Sequence, residues 1–220
     1  MNIRLLIFDV IIGLIFILSC CQETRDEDDD ISTTVSDSIL YTDIIPDITL
    51  NFEYDTTTDD NGTEIIRGEF KYQLDLNQDS IIDLMITGRK WPGFQKKDGQ
   101  WIYFDTTYIV SLNPGAYIGY RPPSTCSFCP CNAQSMISDE IIDKNLTYGW
   151  IQKVSINYDS NEGGCFWDSR SGNNYLAVRL RNNYDTYYGW IDIDGAINPV
   201  VKDYAINLKN EKSIRAGQKE

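Results

Sequence analysis

Histidine is absent from all 220 residues. That removes the commonest general base and metal ligand, and with it every Ser-His-Asp or Cys-His arrangement and every zinc site built on imidazole. Basic charge is scarce as well: 19 Lys and Arg stand against 33 Asp and Glu, a formal net charge of −14. So acidic a chain has little with which to neutralise a phosphate backbone, which argues against nucleic acid as a partner. It argues equally against an electrostatic grip on anionic lipid headgroups. The sequence contains no Gly-x-Ser-x-Gly elbow, no Walker loop and no Rossmann fingerprint. The apolar run Val10 to Leu18 is too short to span a bilayer, since a spanning helix needs about 20 such residues. Helical periodicity is nearly missing too; Ser135 to Asp143 is the one stretch with a trace of it.

The first 20 residues carry the clearest signal. Arg4, an apolar run interrupted by Asp9, and the small residue Ser19 have the order of a secretory signal peptide. The ending Ile17-Leu18-Ser19-Cys20 resembles the bacterial lipobox. That resemblance implies diacylglycerol on Cys20, cleavage after Ser19 and acylation of the new amine, with Cys21 as the alternative residue. A plain signal peptide or an uncleaved anchor is the competing reading. From Gln22 to Asp47 nine acidic side chains stand against Arg25 alone. Such a segment, at least in its first half, buries too little apolar area to offset the entropy of ordering and is expected to be a disordered spacer. The acidic run also resembles the surface-export signal of Bacteroidota lipoproteins. The expected organisation is a signal peptide over 1–19, a lipidated acidic tether over 20–46 and one domain over 47–220. The expected location is the outer membrane, by lipid anchor, and the cell surface.

The rest of the chain reads as strands and turns. Ile48 to Tyr54 alternates apolar and polar, and Asn61-Gly62 follows as a hairpin turn. Further strand candidates are Phe70 to Leu76, Ile82 to Ile86, Trp101 to Phe104, Tyr108 to Leu112 and Trp150 to Tyr158. Tyr175 to Leu180 and Tyr187 to Ile193 flank a polar turn, and Val200 to Leu208 closes the series. Short strands with frequent turn signals predict an all-β, β-sandwich-like domain. The tetrapeptide Tyr-Gly-Trp-Ile occurs at 148–151 and again at 188–191. Two copies with unlike flanks are too few for a repeat fold. In each copy the glycine is expected at a bulge or a close backbone approach.

Tyr175-Leu-Ala-Val-Arg-Leu-Arg181, Tyr187-Tyr-Gly-Trp-Ile-Asp-Ile193, Lys202-Asp-Tyr-Ala205 and Ile214-Arg-Ala-Gly217-Gln218 form a C-terminal pattern. It is similar to that of secreted, mostly uncharacterised proteins of Bacteroidota and other bacteria, which often carry an Asp-x-Asn-x-Asp segment between strands. The resemblance covers about the last 50 residues and the loop at 75–83, and it implies no activity.

That loop is the best site candidate. Asp75, Asn77, Asp79 and Asp83 place oxygen side chains at positions 1, 3, 5 and 9, with the carbonyl of Ile81 at position 7. Calcium takes six to eight oxygens, and alternation aims every second side chain inward on a tight loop. Ile86 stands where an EF-hand has its glutamate, and Ser80 stands where glycine is usual, so the competing reading is an acidic hairpin loop without metal. The cysteines Cys126, Cys129, Cys131 and Cys165 form a second group. Outside the cytoplasm they most simply make two disulfides, either 126–129 with 131–165 or 126–131 with 129–165. A four-cysteine zinc site and free thiols are the rivals. Of the five tryptophans, Trp167 and Trp91 are the expected exposed rings for ligand stacking, and Trp150 and Trp190 are expected in the core.

The reading is a surface binding or adhesion module with no catalytic residues, held to the membrane by lipid and braced by calcium. Glycan is the first expected ligand and a host or envelope protein the next. The alternative is a structural subunit of an envelope complex. A glycan hydrolase with paired carboxylates comes last.

Overall fold

Aromatic and β-branched residues at every second position turn most of the described chain into strands. The computed structural model describes residues 30–36, 38–122, 133–160, 165–166 and 175–220. The strands are β1 (Asp30–Ser36), β2 (Ile39–Thr49), β3 (Glu53–Thr58), β4 (Glu64–Leu74), β5 (Leu84–Gln95) and β6 (Trp101–Ser111). They continue with β7 (Ala116–Gly119), β8 (Ser135–Met136), β9 (Ile141–Ile142), β10 (Trp150–Ile151), β11 (Lys153–Ser160) and β12 (Cys165–Phe166). The last four are β13 (Tyr175–Asn182), β14 (Asp185–Asp194), β15 (Val200–Asn207) and β16 (Ile214–Arg215). The domain is all-β, and among the described residues there is no helix. No described helix is therefore long and apolar enough to cross a membrane.

Two sheets pack face to face. The first runs β1-β2-β15-β14-β13-β7-β10 with β8 added beside β13, and the second runs β12-β11-β6-β5-β4-β3. Every pairing in them is antiparallel. Between them lies the main core, with Leu40, Val178, Ile191 and Ile206 from the first sheet against Phe70, Ile86, Ile109 and Val154 from the second. A second cluster lies on the outer face of the first sheet. There Tyr41, Tyr188, Trp190 and Ala205 meet Met136 of β8, Ile142 of β9, Ile214 of β16, and Leu146 and Ala216.

Three expectations need correction. The folded part begins before residue 47, since β1 and β2 occupy 30–36 and 39–49. Ile39, Leu40, Tyr41 and Ile44 are buried, so the acidic count across this segment hid a strand. Ile48 to Tyr54 is two strands rather than one. The chain leaves the first sheet after Thr49, Leu50 N–H donates to the Pro199 carbonyl at 2.9 Å, and β3 then starts in the second sheet. Alternation persists through the crossing because Leu50 and Phe52 both point into the core. Residues 135–143 form the short strands β8 and β9 instead of a helix, paired to β13 and β16.

The two Tyr-Gly-Trp-Ile copies play different parts. Gly189 sits mid-sheet, where a Cβ would come within 2.4 Å of the Ala205 carbonyl oxygen, so a close backbone approach demands glycine. Gly149 has φ +96° with nothing within 4 Å of a would-be Cβ, so there the demand is conformational. Trp190 is fully buried, as expected, while Trp150 is half-buried with its ring 5.9 Å from that of Tyr188.

Candidate ligand groove and candidate metal loop

The outer face of the second sheet carries an open groove of about 680 Å³. Register builds it. Glu53 pairs with Glu69, Glu69 with Arg89, and Arg89 with Thr106, so one row crosses four strands. Neighbouring rows add Asp55 opposite Arg67, Trp91 opposite Phe104, and Thr87 opposite Tyr108. Side chains with the same parity share one face of a sheet. These residues therefore turn away from the core that Phe70, Ile86 and Ile109 fill on the other side.

The groove mixes both charges with aromatic rings. Glu53, Asp55, Arg67 and Glu69 line the β3–β4 side, while Arg89, Trp91, Tyr108 and Lys153 line the β5–β6–β11 side. Glu69 reaches Lys71 at 3.3 Å, an exposed pair of little energetic weight. Lys153 lies with its ammonium 4.2 Å from the Tyr108 ring centroid. Thr106 is fully buried at the groove floor, and its hydroxyl has no hydrogen-bond partner among the described residues. Trp91 is half-buried, 6.0 Å from Phe104, and Phe94 extends the aromatic set at 6.4 Å from the same ring. Donors, acceptors and an aromatic face in one concavity suit a polyhydroxylated ligand. Of the two rings expected to stack on ligand, the structure places Trp91 in this groove. Trp167 lies outside the described residues.

The sequence carries a trace of the groove. Glu53-x-Asp55, Arg67-x-Glu69-x-Lys71 and Arg89-x-Trp91 repeat polar or aromatic residues at period two. Which charge faces which depends on cross-strand register, and no local pattern holds that information.

The loop 75–83 joins β4 to β5 at the other end of the same hairpin. The Asp75 carboxylate accepts from Ser80 N–H at 2.7 Å and from Asp79 N–H at 3.2 Å. Asp79 accepts from Ile81 N–H at 2.9 Å and from the Asn77 amide at 3.0 Å. Gln78 and Ser80 take φ of 57° and 68°, the left-handed region, so the turn uses at both positions a conformation that glycine adopts more cheaply. Gln78 then donates to Thr33 at 2.8 Å, tying the loop to β1, and Tyr204 donates to the Asp75 carbonyl at 3.2 Å.

Asp83 stands apart. It is fully buried at the loop base, accepting from Leu76 N–H and from the Asn113 amide, both at 2.9 Å. Burial raises its pKa, and those two hydrogen bonds pull it back down. Asp83 thus braces the hairpin against the β6–β7 turn, a role that needs Asn113, which is 30 residues away in sequence. Among the described residues no three carboxylate or thiolate side chains are gathered as a ready metal cage. Asp75, Asn77 and Asp79 share one loop, and their side-chain oxygens accept from backbone N–H groups within it.

Of the four cysteines, Cys126, Cys129 and Cys131 lie outside the described residues, as does Cys20. Cys165 enters only through its backbone, which pairs with Tyr158 in the second sheet.

No known protein family, characterised protein or solved structure matches this chain.

Proposed function

We propose that the chain is a lipid-anchored protein of the bacterial cell envelope whose β-sandwich binds an external glycan without turning it over. The groove on the second sheet carries this reading, because it combines Trp91, cations and carboxylates in one exposed concavity. The lipobox-like Ile17 to Cys20 and the acidic run after it support an outer-membrane, surface-facing address. Cys126, Cys129, Cys131 and Cys165 are read as two disulfides in that oxidising setting.

The test is a glycan screen with the chain from Gln22 onward, followed by titration of any hit. Trp91→Ala is expected to weaken binding at least about tenfold, a loss of roughly 1.4 kcal/mol, in a variant that still melts cooperatively. A hit that Trp91→Ala binds as well as the parent would move the site off this groove, and a screen without hits would remove the glycan reading.

Calcium is proposed as the brace of the 75–83 loop, held by Asp75, Asn77, Asp79 and the Ile81 carbonyl, with water completing the shell. Asp83 contributes from the base by fixing the hairpin ends. A bound cation offsets the repulsion between carboxylates on one short loop. Saturating calcium should raise the melting temperature of the parent relative to EDTA by several degrees, and Asp79→Ala should abolish that rise. Equal melts in calcium and EDTA would reduce the loop to an acidic turn.

A further inference from the structure

On the outer face of the first sheet, Tyr117, Arg179 and Tyr188 are register partners across β7, β13 and β14. The Arg179 guanidinium carbon lies 4.5 Å from the Tyr117 ring centroid and 5.0 Å from that of Trp150. The two rings fix the guanidinium plane and remove much of its water, so its hydrogen-bonding fork is held before any ligand arrives. Two donors at this spot are buried and have no acceptor among the described residues: Arg179 Nε and Trp150 Nε1. Burial lowers the Arg179 pKa, and the neighbouring charge of Arg181 lowers it further. The opposing influences come from Tyr188 and Tyr117, with no carboxylate among them. Among the described residues, this half-buried arginine has no acidic partner.

An arginine that serves only the fold is normally paired where it is desolvated. Here ring faces occupy the guanidinium, and on its donor edge the buried Nε has no acceptor among the described residues. A planar group with two oxygens in parallel matches that edge, and the ring beneath it, Trp150, carries its own unpartnered indole N–H. We propose that Arg179, with Trp150, forms a carboxylate-binding site on the first sheet, separate from the groove on the second. Its ligand class is a small carboxylate, free or carried on a sugar acid.

The test is an NMR titration of the chain from Gln22 onward, following the Arg179 Nε–H and Trp150 indole N–H resonances. Sodium acetate and sodium glucuronate are the probes, with sodium chloride at equal ionic strength and glucose as controls. Saturable shifts of both resonances with either carboxylate, and not with chloride or glucose, support the site. Shifts with glucuronate alone assign it to sugar acids, and equal shifts with both assign it to the carboxylate itself. Arg179→Lys keeps the charge and loses the fork, so at least a tenfold weaker response is expected from it. Carboxylate shifts no larger than those with chloride in the parent would overturn the proposal without any variant. So would an Arg179→Lys protein that responds as the parent does at the indole.

Discussion

Trp190→Ala is expected to destabilise the domain by about 4 kcal/mol, within the range for removing a buried large aromatic side chain. Trp190 is fully buried. Its ring stands edge-on to Tyr175, with centroids 5.1 Å apart at 80°, and tilts against Tyr41 at 6.2 Å. Alanines flank it in register on both sides, Ala177 on β13 and Ala205 on β15, so the sheet leaves room there for one large ring. The indole N–H also donates to the Gln218 carbonyl at 3.1 Å, which ties the C-terminal segment down across the sheet. Alanine would leave a cavity that flat neighbours cannot refill and would orphan that carbonyl. Since domains of this size are stable by about 5–15 kcal/mol in total, the loss is a large fraction. Urea denaturation reads it as a fall in midpoint. A loss under about 1 kcal/mol would mean that the second cluster does not hold the sheet together.

Asp192→Asn is expected to stabilise the domain at pH 7 by about 2 kcal/mol and to leave it nearly unchanged near pH 4. Register places Asp43, Asp203 and Asp192 in one row across β2, β15 and β14. Asp203 has partners: Lys219 reaches its Oδ2 at 2.8 Å, and the Tyr41 hydroxyl donates to the same oxygen at 2.8 Å. The Tyr41 hydroxyl is itself pushed up to about 12, chiefly by burial. Asp192 is 7% exposed, and its Oδ1 has no hydrogen-bond partner among the described residues. Burial pushes its pKa up to about 6; Lys202 pulls the other way, and the charges of Asp203, Asp194 and Asp47 add to the rise.

The sign follows from which state holds the proton more tightly. With the folded pKa above the ordinary value of 3.8, the native state binds this proton better than the unfolded chain does. Below about pH 4 the group is neutral in both states and nothing is lost. As pH rises through 6 the carboxylate must ionise while buried, and on the order of 3 kcal/mol of stability disappears. Asparagine keeps the shape, removes the charge and brings an N–H₂ toward the row. Urea midpoints of parent and variant at pH 4.5 and 7.5 check this. A gain of the same size at both pH values would show that ionisation of Asp192 is not the cause.

The residues of the C-terminal pattern converge in space. Tyr175, Trp190, Ala205, Ile214 and Ala216 all belong to the cluster on the outer face of the first sheet. The C-terminal pattern therefore reads as a packing motif. Large rings alternate with alanines so that a loop and a terminal segment seat on a twisted sheet.

Much of the architecture was legible along the chain, because period-two alternation and turn residues are local properties. The hairpin of β13 and β14, the turn at Gly62 and the strand ahead of the 75–83 loop follow from neighbours a few residues apart. Alternation alone could not show that Leu50 and Phe52 span two sheets, since both sheets bury the same parity. Charge counting hid β2, because Asp43 and Asp47 weigh as heavily in composition as in a tether while Ile39, Tyr41 and Ile44 of the same strand are buried.

Local pattern is enough to give the all-β class, the place of most strands and turns, and the loop that gathers Asp75, Asn77 and Asp79. Long-range pairing is what brings Glu69, Arg89 and Thr106 into one groove, Asp192 beside Asp203, and Arg179 against Tyr117 and Trp150. The reason is physical. Backbone preference acts over a few residues, whereas register is set when distant strands bury their apolar parity together, and that choice places every polar residue on the opposite face.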